Sequence, residues 1–575
     1  MDTTTQSKVQ AWLDGPYDAD TKATIQHLLD TGAETELTDS FYRNLEFGTG
    51  GLRGVMGVGS NRINKYTIGM ATQGLANYLK QQFPNQQVSV AIAHDSRNNS
   101  DKFAGIVADV FSANAIKVYF FTALRPTPLL SFAIRHYGCQ SGVVLTASHN
   151  PKEYNGYKAY WTDGAQMVAP HDTNVINEVE AVKIEDVQWT RNEQLVQHVT
   201  TEVDEAYFDK MVTLSVDPEV IKRQQDLKIV YTPIHGTGIT VVPELLKRFG
   251  FKNVHVVESQ STPDGNFPTV VYPNPEESEA LSIALEEAKS IDADLLLGTD
   301  PDADRVGIAA KNHHGDWQLL NGNQTATLLV YYMLNSWKAA GKFTGKEMVI
   351  KTIVTTDIIS KMAADYGVDC PETLTGFKYI AAVIAAQEGK KTFIVGGEES
   401  YGYLVGDYVR DKDAVISCAL IAEMVAAAKD KGLSLFDQLI EIYQKYGFYK
   451  EGLISLTKKG KAGAEEIQAM MAELRANPPK TINGSVVTHL LDYKSGKSKD
   501  LATGLESDLD LDSSNVLQFL TADGSKISAR PSGTEPKIKF YFGVVEPLNS
   551  PGDFDKVSAE LDTKIKAIIA DLKLT

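Results

Sequence analysis

The strongest constraint in this sequence is a repeated way of ending a strand. Five apolar runs of strand length stop at a polar or glycine-bearing loop: QVSVAIAHDSR (87–97), GVVLTASHN (142–150), LKIVYTPIHGTG (227–238), ADLLLGTDPDADRVG (293–307) and KTFIVGGEESYGY (391–403). Helical periodicity fills the gaps, at 68–82, 101–114, 239–249, 276–291, 323–338 and 358–366, after earlier helices around 7–14 and 18–29. Continuous apolar strands alternating with amphipathic helices predict α/β layers. Open sheets of this kind offer ligands the loops at the carboxyl ends of their strands. A chain of 575 residues is too long for one core, so the pattern implies several domains. A polar, charged stretch at 184–226 separates the first unit from the next. The tail differs in kind, with a helical pattern over 455–477 and strand-like segments near 484–490, 516–520 and 536–543.

Charge narrows the partners. With 74 acidic residues against 56 basic ones the net charge is -18, which disfavours a general polyanion-binding surface and makes nucleic acid a poor partner. A local basic pocket for a small phosphate ester remains compatible with it. Cys139, Cys370 and Cys418 are too few and too scattered for a disulfide framework or a thiolate metal site, which points to a reducing compartment. The opening MDTTTQSKVQAWLDG carries no basic-then-apolar signal, and the apolar pattern at 414–428 is interrupted by Glu423. The expected setting is therefore cytoplasmic, without a membrane partner.

Three stretches carry chemistry. In LTASHNP (145–151), Ser148 leaves the end of a strand, where its hydroxyl is a cap, part of a turn, or a nucleophile able to carry a phosphoryl group once activated. His149 beside it makes no dyad by adjacency alone. In DPDADR, Asp300, Asp302 and Asp304 place carboxylates at alternate positions, suited to a hard divalent cation such as Mg²⁺ if the loop curls, and otherwise to a solvated turn. An EF-hand does not fit, because Arg305 and Lys311 stand where that loop needs glycine and glutamate. Arg305 pairs with a carboxylate or meets substrate. In SARPSGTEPK, Arg530, Ser532, Gly533 and Thr534 offer donors for a phosphate, or cap a small domain; the spacing is not that of a Walker loop. GEESYGY adds Glu398 and Ser400, as sugar-hydroxyl partners or as caps. TGFKY and RDKDAV add Gly376, Lys378, Arg410 and Lys412, whose lysines neutralise phosphate, move a proton or are simply solvated.

In this order, TASHNP, DPDADR, GEES and RPSGTEPK closely resemble the signatures of the alpha-D-phosphohexomutase family, in its long phosphoglucomutase and phosphomannomutase type, over about residues 40–543. The resemblance implies three successive α/β domains with mixed sheets, at 1–205, 206–322 and 323–450, and a smaller α+β domain at 451–575, around a central cleft. It implies Ser148 as phosphoserine and metal neighbour, Asp300, Asp302 and Asp304 as Mg²⁺ ligands, and Glu398 with Ser400 on sugar hydroxyls. Arg530, Ser532, Gly533 and Thr534 would hold the phosphate that is not transferred. Arg53 falls at the site rim, Lys158 near the phosphoserine, and Gly376 with Lys378 in the loop that distinguishes substrate orientations. Lys412 resembles a proton-transferring lysine, with His149 as the local alternative.

The activity so implied interconverts α-D-glucose 1-phosphate and glucose 6-phosphate, with glucose 1,6-bisphosphate as intermediate and activator. Phosphomannomutase and phosphopentomutase activities are the enzyme alternatives, and an amino-sugar mutase fits the Thr-Ala-Ser start of the nucleophile loop less well. Lys537 and Lys539 stand where many relatives are arginine-rich, which bears on substrate preference. A non-catalytic sugar-phosphate sensor and a metal-dependent phosphatase are the competing classes. The residues specify no protein partner.

Overall fold

The computed structural model describes residues 1–48, 50–458, 460–532 and 537–574. It contains three α/β domains, each with a mixed sheet, followed by a further domain built on an antiparallel sheet. In the first domain the strands run in the order Gly51–Val55, Tyr154–Tyr160, Ser141–Leu145, Ser89–His94, Lys117–Phe121, Val196–Val199. The last four are parallel and the first two antiparallel additions. The second sheet runs Trp317–Leu320, Val306–Lys311, Leu295–Thr299, Lys228–Thr232, Asn253–Val256, and the third Glu372–Thr373, Glu347–Thr352, Thr392–Gly397, Tyr403–Val405.

One construction recurs in all three. A buried parallel strand ends, a polar loop follows, and the chain returns antiparallel beside the same strand. Ser141–Leu145 is answered by Tyr154–Tyr160, Leu295–Thr299 by Val306–Lys311, and Thr392–Gly397 by Tyr403–Val405. The loops so presented are those holding Ser148, the three Asp residues, and Glu398 with Ser400. The return strand explains why each polar loop is short and why its side chains are aimed rather than splayed.

Helix limits follow local chemistry. Asn64 makes a capping box for Lys65–Gln82, Thr127–Tyr137 begins with Pro128 and ends at Gly138 (φ 65), and Asp413 accepts from Val415 N and Ile416 N at the start of Ala414–Asp430. Two sequence expectations change. The helix expected over 276–291 covers only Ser282–Ser290; the residues before it form turns, in which Glu276 pairs with Arg305. The helix expected over 455–477 starts at Gly460; the residues before it complete the strand Phe448–Thr457, paired along its whole length with Lys537–Glu546. Arg530 and Pro531, read as loop, end a further strand, Lys526–Pro531.

The helix Ala414–Asp430 is buried along nearly its whole length and packs between the second and third domains. Glu423 is the reason it tolerates a charge. Its fully buried carboxylate accepts from Ser215 Oγ (2.6 Å), Val216 N (2.9 Å), Asp217 N (2.8 Å) and the Tyr332 hydroxyl (2.8 Å), so one side chain ties three segments together. Among the described residues no helix is long and apolar enough to cross a membrane. At the far end of the second domain, His314 Nε2 lies 2.9 Å from Asp555 Oδ2, linking a hairpin turn to the first turn of the helix Phe554–Asp571.

Candidate active site

Ser148 follows the strand Ser141–Leu145 in a left-handed conformation (φ 50), and no helix starts there, so its backbone makes a turn and not a cap. The loop is held from beneath by Arg97. This buried guanidinium donates to the carbonyls of Ser148 (2.5 Å), Asn150, Pro151 (2.8 Å) and Tyr154 (3.1 Å), and its Nε faces Asp95. With the main chain fixed, the Ser148 hydroxyl is free to point away from it, and donates to Asp302 Oδ2 at 3.0 Å. Its partner is therefore on the second domain, and no hydrogen bond joins it to His149.

The acidic loop curls as the spacing requires, with Ala303 in the left-handed region (φ 50). Asp300 Oδ1 accepts from the backbone N–H groups of Asp304 (3.1 Å) and Arg305 (3.0 Å), closing the turn. Asp302 Oδ2 collects Thr127 Oγ1 (2.8 Å), Lys158 Nζ (2.7 Å) and Ser148. Asp304 Oδ2 meets Lys412 Nζ at 3.1 Å. One oxygen of each carboxylate, Asp300 Oδ2, Asp302 Oδ1 and Asp304 Oδ1, is buried without a hydrogen-bond partner. Each of the three residues offers a carboxylate oxygen within 4.8 Å of the others. Burial, then Asp304 and Asp302, push the Asp300 carboxyl well above the usual range. Three carboxyl groups this close, each with one oxygen left without a partner, fit a hard divalent cation, whose charge would draw the proton off Asp300.

The cations around this loop are matched to it. Burial favours neutral amines, but Asp302 and Asp304 hold Lys158 charged, and Asp304, Asp411 and Glu398 do the same for Lys412. Arg305 pairs with Glu276 and faces Asp304 Oδ1 at 3.9 Å. Arg53 reaches over the exposed edge to Asn150 Oδ1 (3.3 Å). Arg410 faces elsewhere, toward Asp407 O and Glu388. His149 is half-buried, and loss of solvation followed by Arg305 and Arg53 pushes its pKa well below 6.5, so the imidazole is neutral.

Glu398 is buried and accepts from the backbone N–H of Gly376 (3.0 Å), which starts the helix Phe377–Gln387 at φ 119. Ser400 lies half-buried in the turn that follows. Lys378 sits 4.0 Å from Asp172 of the first domain, apart from the acidic loop. Arg530 pairs in register with Lys539, and Ser532 N donates to Lys537 O (2.7 Å). Lys539 is half-buried, and burial lowers its pKa against the pull of Glu276 and Glu399. Gly533 and Thr534 lie outside the described residues.

Two contributors escape a reading of the sequence. Thr127 bonds Asp302 through its hydroxyl and also through its N–H to Asp302 O (2.9 Å), and nothing in "RPTPLL" marks it. Arg97 had a signal: it stands in AHDSR, another polar loop at a strand's carboxyl end.

The fold thus brings Ser148 of the first α/β domain face to face with the acidic loop of the second. The descriptions phosphoglucomutase/phosphomannomutase alpha/beta/alpha domain I, II and III match residues 44–185, 205–315 and 321–446. The chain belongs to the phosphoglucomutase/phosphomannomutase family. It is 36% identical over 544 residues to the phosphoglucomutase of Staphylococcus haemolyticus (strain JCSC1435), covering 93% of this chain and 96% of that one. To the phosphoglucomutase of Staphylococcus aureus (strain MRSA252) it is 37% identical over 550 residues, covering 94% and 96%. The fold is similar to a phosphoglucomutase/phosphomannomutase family protein from Burkholderia thailandensis (TM-score 0.63, 19% identity, 91% and 97% covered). It is also similar to the open form of the phosphoglucomutase pp63/parafusin from Paramecium (TM-score 0.64, 18% identity, 92% and 96% covered).

Proposed function

We propose that this chain is a mutase that interconverts α-D-glucose 1-phosphate and glucose 6-phosphate through a phosphoserine at Ser148. The observation that carries the reading is the Ser148 hydroxyl 3.0 Å from Asp302, beside three carboxylate oxygens that lack partners. Phosphorylated Ser148 donates its phosphoryl group to the free hydroxyl of a hexose monophosphate: a sugar O–P bond forms and the serine Oγ–P bond breaks, the hydroxyl proton passes to the neutral imidazole of His149, and the departing Ser148 Oγ takes a proton from the charged Lys412. Glucose 1,6-bisphosphate results, turns over, and returns its other phosphoryl group to Ser148.

Asp300, Asp302 and Asp304 would hold Mg²⁺, which supplies positive charge against the transferring phosphoryl group. Lys158 and Lys412 keep the surroundings of that group cationic. Arg53 and Arg305 border the phosphoserine side; Glu398 and Ser400 take sugar hydroxyls, with Gly376 holding the Glu398 carboxylate in place. Arg530 and Ser532, with Gly533 and Thr534, take the phosphate that is not in transfer, and Lys378 helps tell the two orientations apart. The sequence similarity to bacterial phosphoglucomutases over nearly the whole chain supports glucose as the sugar.

The test pairs intact-protein mass analysis with glucose 1-phosphate turnover. A phosphate should be found on Ser148, and Ser148→Ala should lose at least about 10³-fold in kcat with its melting temperature nearly unchanged. Wild-type protein with no phosphate attachable at Ser148 and no mutase activity on any sugar phosphate overturns the reading. Equal rates on mannose phosphates would widen the substrate, and steady release of inorganic phosphate would make the chain a phosphatase.

A further inference from the structure

The loop 398–402 has a second face. While Glu398 is held by Gly376, the next carboxylate, Glu399, accepts from the hydroxyls of Thr352 (3.2 Å) and Thr355 (3.3 Å). Glu399 and Tyr401 line a cavity of about 260 Å³ whose opposite wall is the C-terminal sheet, with Glu451, Lys526 and Tyr541. Its described lining includes none of Ser148, Asp300, Asp302, Asp304 or Glu398, so it is separate from the phosphotransfer site.

Two atoms in its wall are unaccounted for by the protein itself. Glu451 Oε1 and Thr356 Oγ1 are buried and neither reaches a full hydrogen bond, the Thr356 hydroxyl lying only near enough to oppose the effect of burial on the Glu451 carboxyl; Thr356 is only 4% exposed. Such orphans are costly unless something meets them. Charge decides what. Of the five carboxylates in the described lining, Glu276 is paired with Arg305 and Asp357 with Lys351 and Lys526, which leaves Glu277, Glu399 and Glu451 without a salt bridge and the one lining lysine already held by Asp357 Oδ1 at 2.6 Å. An anion is excluded and a cation attracted. Size and lining decide further, because the volume far exceeds one ion and the lining includes the aromatic side chains of Tyr401 and Tyr541, which suit a carbon-bearing cation.

We propose that this cavity binds a small organic ammonium ion, its charge on Glu451 and Glu399, an N–H on the Thr356 hydroxyl, and its carbon body against Tyr401 and Tyr541. The wall residues come from the third domain and from the C-terminal sheet, so an occupant bridges the two and restrains their relative movement. None of this depends on the chemistry of Ser148.

The full-length protein is titrated at about pH 8 with n-butylammonium, with butan-1-ol as the neutral isostere and K⁺ as the bare ion, by calorimetry and ligand-observed NMR. Saturable one-to-one binding of butylammonium is expected, with neither control equalling it. The isosteric variants Glu451→Gln and Thr356→Val should each weaken it, the first by about tenfold or more, while leaving phosphorylation of Ser148 intact. No saturable amine binding, affinity unchanged in both variants, or equal binding of butan-1-ol overturns the proposal; tighter binding of K⁺ than of the amine overturns its organic class.

Discussion

Two groups of buried carboxylates show opposite solutions to the same problem. Glu423 is fully buried and meets four donors from two other segments, so its carboxylate is spent on holding domains together. Asp300, Asp302 and Asp304 are as deeply buried, yet each keeps one oxygen without a partner. Burying a charge without full compensation is unfavourable, so such oxygens persist where an incoming ligand completes them. A satisfied buried acid marks architecture; an unsatisfied cluster of them marks a site.

That contrast can be broken most sharply at Asp300. Asp300→Asn keeps an oxygen for the two backbone N–H groups that close the turn but removes the charge. Turnover should fall by about 10³-fold in a glucose 1-phosphate assay, while calorimetry without divalent cations finds stability unchanged or raised, since carboxylate repulsion is relieved. A variant that unfolds instead would make the aspartates structural. Glu423→Ala should behave the other way. Four donors lose their acceptor, so denaturant titration should show a loss of about 3 kcal/mol, while kcat of the folded fraction stays within about twofold.

Metal titration separates the two groups without relying on turnover. Mg²⁺ at one hundred times its dissociation constant should stabilise wild-type protein by about 2.7 kcal/mol and Glu423→Ala by the same increment, but Asp300→Asn by much less. Equal increments in all three would place the ion elsewhere.

Glu451 is the intermediate case, a single half-buried acid whose Oε1 is enclosed without a full hydrogen bond, and it gives the smallest expected effect. Burial first, opposed by the Thr356 hydroxyl and helped by Asp357, pushes its carboxyl from an ordinary 4.5 up to about 7. Below pH 4.5 the group is protonated folded or unfolded and costs nothing; between 4.5 and 7 the unfolded chain ionises while the folded one keeps its proton, so stability falls as pH rises; above 7 the loss is constant. Glu451→Gln should therefore melt like wild type at the acidic end and about 2–4 °C higher above pH 7. A gain independent of pH would deny the ionisation its role.

What the sequence could tell follows from how local each feature is. The Asp-x-Asp-x-Asp spacing named the three acids because a loop's own residues set their separation, and the strand-loop pattern named the α/β layers for the same reason. Glu423 looked like a break in an apolar helix, because its donors lie about 90 and 206–208 residues away and leave no trace beside it. Lys158, Thr127 and Ser148 meet at Asp302 only when the first and second domains dock. The helix expected at 276–291 was overextended because helical periodicity does not register the demand of Arg305 on Glu276. The strand hidden at 448–457 was lost because its pairing partner lies some ninety residues further on.

The grip of Arg97 has a consequence for descent. It falls on main-chain oxygens of residues 148, 150, 151 and 154, which every amino acid carries. The path of the turn is thus inherited separately from the group it displays. A lineage can replace Ser148 by a small residue that accepts the left-handed backbone there and keep the shape of the loop, so loss of chemistry in a relative need not be accompanied by loss of form.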